Sequence, residues 1–334
     1  MPEQKKLFLL DAYALIYRAY YALNRNPRIN SKGLNTSAIL GFANTLFDVL
    51  TNENPDYIGV VFDPPGRTFR NELYPEYKAN REKTPEDITT SIPYIKQLIE
   101  AFNIPVILVE NYEADDVIGT LAKQAEKEQL ITYMMTPDKD FGQLVSENIK
   151  MYKPARMGNG AEIWGVEEVC ESFGIKNPEQ VIDFLGLSGD ASDNIPGIAG
   201  VGPVTAKKLI AQFGSVENML EKADEIQNPK VREKVMAAKN EALLSKKLAT
   251  IDIHAPIKLD LKQLKTNSPN SEALKNITAE LEFRTFAARV FQKTTEEKTE
   301  GFQTDLFGSY KMELSVENEF KSLETQKHDY KLVD

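Results

Sequence analysis

Residues 104–123 read IPVILVENYEADDVIGTLAK. The apolar run PVILVE has the composition of a buried strand, and the residues after the polar loop have apolar positions at helical spacing. A strand, a short loop and an amphipathic helix in that order are typical of one repeating unit of an α/β fold. The loop and the first helical turn carry three acids, which are Glu113, Asp115 and Asp116.

These three acids have two interpretations. On an ideal helix Glu113 and Asp116 share one face and Asp115 points away from them. One interpretation is a helix N-terminus, where carboxylates meet unpaired backbone N–H groups and the positive end of the helix dipole. The other is a site for a hard divalent cation such as Mg²⁺ or Mn²⁺, which needs clustered oxygen ligands. Both stay open until the other acids are placed.

The strand-and-helix alternation extends through the first half of the chain. The predicted strands are KLFLL, YIGVVF, PVILVE and ITYMMT, with IKMYK as a fifth. Helices are predicted at 36–50, from Thr84 as N-cap with Pro85 at the first helical position, and from near Glu113. This pattern predicts an α/β domain with a mainly parallel sheet flanked by helices.

Acids follow these strands repeatedly. Asp11 ends the first strand, Asp63 follows the second, and Asp138 and Asp140 follow ITYMMT. Because the carboxyl ends of parallel strands meet at one edge of a sheet, these side chains should lie together. Each acid alone could cap a helix or a turn. Their recurrence at one edge favours a metal site that includes the 113–116 acids.

From about residue 164 to 292 the pattern changes to short helices joined by Gly and Pro turns. The segment LSGDASDNIPG adds Asp190 and Asp193, whose spacing lets both reach one side of a turn. It continues into a glycine hairpin and a helix with two lysines, namely Gly197, Gly200, Gly202, Lys207 and Lys208. The sequence at 190–213 predicts a helix-hairpin-helix motif, which binds phosphates through backbone N–H groups.

The segment 64–83, PPGRTFRNELYPEYKANREK, mixes cations with aromatic residues. Its charged members are Arg67, Arg70, Lys78, Arg81 and Lys83, and Tyr77 is among its aromatic ones. Charge for phosphates and aromatic surface for unpaired bases suit a single nucleic-acid strand. The alternative is a solvated surface loop. Its position directly after Asp63 favours the binding function.

Composition limits the remaining classes. The 334 residues carry a net charge of −10, but the tail 296–334 and the clustered acids hold much of that charge, so the remaining body is basic. One cysteine and two histidines argue against disulfides, a zinc site with Cys or His ligands and His-dependent nucleophilic catalysis. The sequence shows neither a signal peptide nor a membrane span, so we expect a cytoplasmic protein without membrane partners.

Taken together, these motifs resemble the 5′-nuclease (5′-3′ exonuclease/flap endonuclease) domain of bacterial DNA polymerase I, which has a PIN-like fold. The resemblance covers about residues 6–292. It rests on LDAYALIYRAYYA, VVFDPPGRTFRNELYPEYKANR, YEADDVIGTLA, TPDKDFGQLV and LGLSGDASDNIPGIAGVGPVTAKKLI. It implies a nuclease domain at 1–163 with a helical arch at about 67–90, and a helical DNA-binding region at 164–292.

The resemblance also implies the residue roles. Two or more Mg²⁺ or Mn²⁺ ions would be held by nine acids, namely Asp11, Asp63, Glu113, Asp115, Asp116, Asp138, Asp140, Asp190 and Asp193. Lys78 and Arg81 would contact the scissile phosphate as electrostatic catalysts. DNA would contact Arg67, Arg70, Tyr77, Lys83, Gly197, Gly200, Gly202, Lys207 and Lys208. Carbonyls of the glycine hairpin can also hold K⁺.

The function expected from this resemblance is hydrolysis of phosphodiester bonds near the 5′ end or 5′-flap junction of DNA by two metal ions, in primer removal and repair. The substrate would be DNA with a 5′ flap, a nick or a 5′ end, including an RNA-primed 5′ end, bound by a monomer. Residues 293–327 are predicted to be a linker, and 328–334 the start of a following domain. In the family, proofreading-like and polymerase domains follow. The alternatives are a PIN-class ribonuclease, a non-catalytic DNA-junction binding module and a 3′ exonuclease.

Overall fold

A mainly parallel sheet organises the first half of the chain. Its strands are β1 (Lys6–Asp11), β2 (Tyr57–Val61), β3 (Val106–Ile107), β4 (Ile131–Met135), β5 (Ile149–Lys153) and β6 (Glu162–Trp164). They lie in the order β3-β2-β1-β4-β5-β6, and only the β5–β6 pair is antiparallel. The central strand β1 pairs Asp11 with Val61 of β2 and Leu10 with Met135 of β4.

The computed structural model describes residues 4–23, 26–154 and 160–300, with side chains described as far as residue 292. Residues up to Phe291 belong to one unit, which contains the sheet and the site, and Gln292 begins a second. No helix within these described residues is long and apolar enough to cross a membrane.

The helices lie between and after the strands. Their bounds are α1 (Ala12–Leu23), α2 (Ser37–Asn52), α3 (Phe69–Leu73), α4 (Glu86–Ala101), α5 (Ala114–Lys127), α6 (Val166–Phe173), α7 (Val181–Ser188), α8 (Pro203–Phe213), α9 (Val216–Glu221), α10 (Pro229–Ala237), α11 (Lys239–Ala249), α12 (Leu261–Leu264), α13 (Ser271–Glu280) and α14 (Arg284–Glu300). Short 3₁₀ helices occur at Lys139–Leu144, Pro178–Gln180 and Ala223–Glu225.

Helices cover both faces of the sheet, and the side chains of each strand alternate between these two buried faces. Phe8 and Leu10 of β1 point into a core shared with α1, α2, α4 and α13. Leu7 and Leu9 point into a second core shared with α5, and this core continues into helices α6 to α11. The predicted domain boundary at residues 163 and 164 stays a prediction, and apolar packing runs across it.

Several predicted boundaries need correction. The PVILVE strand shrinks to Val106–Ile107, and the antiparallel β6 has too few residues to give a sequence pattern. Pro85, not Thr84, precedes the first residue of α4, and Thr84 instead accepts a hydrogen bond from the Tyr17 hydroxyl at 3.0 Å.

The predicted helical arch at 67–90 is helical only in α3 and in the first turn of α4, with turns between them. Two prolines, Pro75 and Pro85, interrupt this stretch. Within the predicted linker 293–327, α14 continues to Glu300. Residues 301–327 and the predicted strand start at 328–334 lie outside the described residues.

Candidate active site

Strand ends and one loop bring eight carboxylates to one region, which we call the acidic rim. Its members are Asp11, Asp63, Glu113, Asp115, Asp138, Asp140, Asp190 and Asp193. Asp11 ends β1, and its carboxylate accepts hydrogen bonds from the Ala14 N–H at 3.1 Å and the Thr136 hydroxyl at 3.0 Å. Asp63 accepts from the Ala114 N–H, the first residue of α5, at 2.9 Å. Helix capping and rim formation therefore use the same acids.

Mutual repulsion within the acidic rim shows which acids are neighbours. Burial, followed by the charge of Asp63, raises the pKa of Asp11 to about 7. Burial, Asp138 and Asp190 raise the pKa of Asp140 to about 8. The pKa of Asp115 is raised well above its usual value by burial and then by Asp11 and Asp138. Acids from strands β1 and β4, from α5 and from the 190–193 loop thus share one electrostatic environment.

The donor chemistry of the acidic rim fits divalent cations. One buried carboxylate oxygen, Asp140 Oδ1, has no hydrogen-bond partner, and such an oxygen is available to a cation. Among the described residues, no group of three or more His, Cys, Asp or Glu side chains is arranged to hold a metal ion as it stands. Side chains must therefore rearrange before three oxygens meet at one ion.

Two cations lie within the acidic rim and pair with its acids. Lys78 Nζ is 2.8 Å from Glu113 Oε2 and 3.7 Å from Asp193 Oδ2. The Arg81 guanidinium pairs with the other oxygen of Asp193. Burial opposes ionisation of Asp193, but Lys78 and Arg81 outweigh it, and the pKa of Asp193 lies below its usual value. The two predicted catalytic residues therefore lie beside predicted metal ligands.

Backbone contacts attach the segment 76–81 to the loop 190–194. The Lys78 N–H donates to the Asp193 carbonyl at 2.9 Å, with Lys78 at a left-handed φ of 58°. The side-chain amide of Asn80 donates to the Ala191 carbonyl, and the side-chain amide of Asn194 donates to the Glu76 carbonyl, each at 2.7 Å. Sequence analysis missed both asparagines because a polar pair with no fixed spacing gives no motif.

The structure overturns the predicted DNA contact of Tyr77. Its side chain is buried, and its hydroxyl lies 3.0 Å from Glu113 Oε2 and 3.1 Å from Asp193 Oδ2. Burial and then Glu113 and Asp193 raise the pKa of Tyr77, so the hydroxyl keeps its proton. Tyr77 is therefore a positioning residue for two acids and cannot stack on a base.

Arg70 and Asp116 form a buried ion pair, which corrects two further predictions. Both residues are at most 2% exposed, and their two hydrogen bonds measure 2.7 and 2.8 Å. Asp116 also accepts from the Glu113 and Asp252 N–H groups, so each carboxylate oxygen already has two donors. Asp116 is thus a structural residue rather than a direct metal ligand, and Arg70 cannot reach DNA.

The predicted helix-hairpin-helix consists of α7, a turn and α8. Gly197 and Gly200 have positive φ angles of 60° and 77°, and Gly202 precedes α8. Gly200, Gly202 and Lys208 are exposed. The Gly197 N–H, however, donates to a buried Ser245 hydroxyl and is not available to a phosphate.

The other residues predicted to contact DNA differ in whether their side chains are exposed or already bonded within the protein. Lys207 Nζ donates to the Ser172 carbonyl at 3.0 Å, which attaches its side chain to the last turn of α6. Arg67 and Lys83 are exposed near the two ends of segment 64–83, which we call the cationic segment. These positions are compatible with the predicted contacts, which stay predictions.

The raised pKa values predict how stability depends on pH in the absence of divalent cations. Because the folded chain binds protons on Asp11 and Asp140 more tightly than the unfolded chain, protonation stabilises the fold. That stability is fully present below the usual pKa of 3.8 and is lost as pH rises through about 7 and about 8. In EDTA, thermal unfolding should occur at a lower temperature at pH ~9 than at pH ~6.

Saturating Mg²⁺ is the control for this measurement. A bound cation replaces the protons, so the decline between the two pH values should shrink. An unfolding temperature in EDTA that does not change between them would contradict the electrostatic account of the acidic rim.

Comparison with known proteins places the chain in a family. The family described as "5'-3' exonuclease, N-terminal resolvase-like domain" matches residues 6–174, and "5'-3' exonuclease, C-terminal SAM fold" matches residues 176–272. The chain belongs to the 5′-3′ exonuclease family. The resemblance inferred from the sequence is therefore confirmed, and so is the fold class of a PIN-like α/β sheet followed by a helical region.

Two relatives show the extent of the match. The chain is 42% identical to DNA polymerase I of Bacillus subtilis (strain 168) over 297 residues, which are 89% of this chain but 33% of that protein. It is 38% identical to a 5′-3′ exonuclease of Aquifex aeolicus (strain VF5), covering 86% of this chain and 95% of that protein. The chain thus spans about a third of its polymerase relatives and nearly all of a separate exonuclease.

Solved structures support the same fold. T5 5′-exonuclease with bound zinc matches with a TM-score of 0.62 at 17% identity, over 86% of this chain and 99% of that one. The catalytic core of Rad2 in complex with DNA matches with a TM-score of 0.55 at 19% identity, over 83% and 87%. At these identities the likeness concerns the fold.

Proposed function

We propose that this exonuclease-family chain is a structure-specific nuclease that cuts DNA near a 5′ end or a 5′-flap junction, in primer removal and repair. The observation that carries the proposal is the acidic rim with Lys78 and Arg81 inside it, in the same unit as the helix-hairpin-helix. Carboxylates alone would repel a phosphodiester. Cations that hold them together and cations that face the phosphate are both needed for hydrolysis.

The acidic rim would hold two or more Mg²⁺ or Mn²⁺ ions through its eight carboxylates. When bound, such ions supply a more acidic water and neutralise charge that develops on the phosphate and leaving oxygen. Tyr77 holds Glu113 and Asp193 in place through its hydroxyl. The Asp116 carboxylate fixes the start of α5, which carries Asp115, through its bond to the Glu113 N–H at 3.0 Å.

Lys78 and Arg81 pair with Glu113 and Asp193 in the structure. With those acids bound to divalent cations, the two side chains would be available to the phosphate. Each stays protonated, because burial lowers the pKa of Lys78 and Arg81 but the neighbouring acids outweigh it and the net shift is upward. They therefore stabilise negative charge and transfer no proton.

Substrate geometry would come from two surfaces. The exposed backbone at Gly200 and Gly202, with Lys208, suits duplex phosphates without reading bases. The hairpin carbonyls would hold K⁺. The cationic segment with Arg67 and Lys83 would receive the single-stranded 5′ end. The protein would act as a cytoplasmic monomer.

A flap substrate labelled separately at its 5′ and 3′ ends tests the proposal, with Mg²⁺ and with EDTA. We expect Mg²⁺-dependent release of the 5′ strand near the junction and weaker binding at higher salt. A binding module would retain the DNA uncut, and a 3′ exonuclease would shorten the 3′-labelled strand. A PIN-class ribonuclease would cut only when the flap is RNA.

Replacing Lys78 with alanine should slow single-turnover cleavage by about 100-fold, because one preorganised charge near the reacting phosphate is lost. Lys123→Ala is the matched control, since Lys123 pairs with Glu126 on α5 away from the acidic rim. Rapid-quench measurement at saturating enzyme compares the two variants. If Lys78→Ala stays within about twofold of the parent while Lys123→Ala does the same, the electrostatic role is wrong.

A further inference from the structure

Helix α11 contacts both the glycine hairpin and the buried pair that supports the acidic rim. We propose that α11 and Arg70 form a strut that fixes the distance between the duplex-binding hairpin and the cleavage centre, and so determines which phosphodiester bond is cut. The inference deepens the proposed function and rests on it. It assigns a specificity role to three buried residues, which are Ser245, Gly186 and Arg70.

The hairpin end of the strut is a hydrogen bond to the turn itself. Ser245 Oγ accepts the Gly197 N–H at 2.9 Å, and Ser245 has no exposed surface. The turn is closely packed at Gly197, because a Cβ there would lie 2.3 Å from the Gly189 nitrogen. Ser245 therefore holds the hairpin at a point where its backbone is closely packed.

Close packing and an ion-pair network add to this contact. A Cβ on Gly186 of α7 would lie 2.9 Å from the Lys246 Cβ and 3.1 Å from its Cα, so the two helices touch along their backbones. Lys246 Nζ lies 2.6 Å from Asp183 of α7 and 2.7 Å from Glu217 of α9. Asp183 in turn accepts the Val216 N–H at 2.8 Å. Helix α11 is thus attached to the first helix of the motif and to the helix after it.

The rim end of the strut is made by Arg70. Its guanidinium donates to the Leu248 carbonyl at 3.0 Å and to the Thr250 carbonyl at 2.9 Å, at the C-terminal end of α11. The same guanidinium binds Asp116, which accepts the Glu113 N–H at the start of α5. A continuous set of buried contacts therefore runs from the last turn of α11 to the residues beside Asp115.

The two ends are close along the helix. Ser245 and Leu248 are three residues apart, which is roughly 4.5 Å of helix rise. Such a short helical segment cannot stretch, because its length is set by backbone hydrogen bonds. Any displacement of the hairpin must therefore break a contact at one end or move the acidic rim with it. A loosened contact would let the duplex shift relative to the rim, and cleavage would occur at neighbouring bonds.

The test maps cleavage positions at single-nucleotide resolution on a 5′-labelled flap substrate with Mg²⁺. The variants are Ser245→Ala, which removes the hairpin contact, and Gly186→Ala, which separates α11 from α7. Ser91→Ala is the matched control, because Ser91 is an equally buried helical serine that donates within α4 to the Asp87 carbonyl. A loss of folded protein lowers the rate, but it cannot change the position of the cut.

We expect the share of product cut away from the parent's main position to rise about fivefold in Ser245→Ala, the factor that one lost hydrogen bond is worth. Gly186→Ala should show the same spread, and it decides the question if Ser245→Ala is unfolded at the assay temperature. Ser91→Ala should cut as the parent does. Parent-like positions in both strut variants would overturn this inference alone. A parent chain that cuts no flap DNA would instead overturn the proposed function.

Discussion

Asp115→Asn is expected to lower the single-turnover cleavage rate by about three orders of magnitude or more, because the metals' contribution to the transition state amounts to several kcal/mol. Asp115 lies at the start of α5, and its pKa is raised by burial and by the charges of Asp11 and Asp138. The amide has the same shape, but it brings no negative charge to a cation. The loss should therefore be one of chemistry and cation binding rather than of folding.

Two observations accompany this rate. Titration with Mg²⁺ should show that Asp115→Asn binds the cation more weakly and needs more Mg²⁺ to reach half its maximal rate. The unfolding temperature in EDTA should be unchanged or higher, because one repelling carboxylate is gone. Glu86→Gln is the matched control, since Glu86 occupies the first turn of α4 outside the acidic rim. A rate for Asp115→Asn within tenfold of the Glu86→Gln rate would exclude Asp115 as a metal ligand.

Arg70→Met is expected to cost about 3–5 kcal/mol in free energy of unfolding. The substitution leaves Asp116 buried without its cation, and it also leaves the Leu248 and Thr250 carbonyls without a donor. Methionine fills part of the same space, so the cost is mainly electrostatic. Urea unfolding monitored by circular dichroism measures it directly.

Arg289→Met is the control for this prediction. Arg289 pairs with Asp48 at 3.0 Å, but both side chains are about half exposed, so the expected cost is at most about 1 kcal/mol. If the two variants lost the same stability, the buried pair would contribute no more than a surface pair. The strut would then lack a rigid end at the acidic rim.

The sequence was sufficient to predict the sheet and the position of the acidic rim. Short apolar runs located β1, β2, β4 and β5, and the parallel arrangement required that the acids after them share one edge. The resemblance then assigned the family, which the comparisons confirmed. These predictions succeeded because they depend on local patterns and on one topological rule.

The different roles of Glu113, Asp115 and Asp116 could not be predicted in the same way. An ideal helical wheel grouped Glu113 with Asp116, but Glu113 is the N-cap of α5 with extended backbone angles, and it reaches the rim with Asp115. Asp116 points instead to Arg70, a residue far away in sequence. A cation and an acid that meet only after folding leave no spacing to detect, so the sequence alone points to metal for Asp116 and to DNA for Arg70.

The predicted DNA contact of Tyr77 was wrong for a related reason. Aromatic residues among cations fit single-strand binding, and nothing local shows that one of them is enclosed by two acids from different segments. The same limit applies to Ser245, because a buried serine on an amphipathic helix looks like any other. Sequence patterns therefore located the chemistry, whereas the contacts that hold it in place required the three-dimensional arrangement.

The outermost strands of the sheet are its shortest, with two residues in β3 and three in β6. A sheet margin displays unpaired N–H and C=O groups that can recruit a strand from another molecule. Edge strands this short offer few such groups, so a strand from another molecule could form only a few backbone hydrogen bonds with either of them. The described fold thus limits edge-to-edge aggregation by strand length, and substitutions that lengthen β3 or β6 should reduce solubility before they reduce stability.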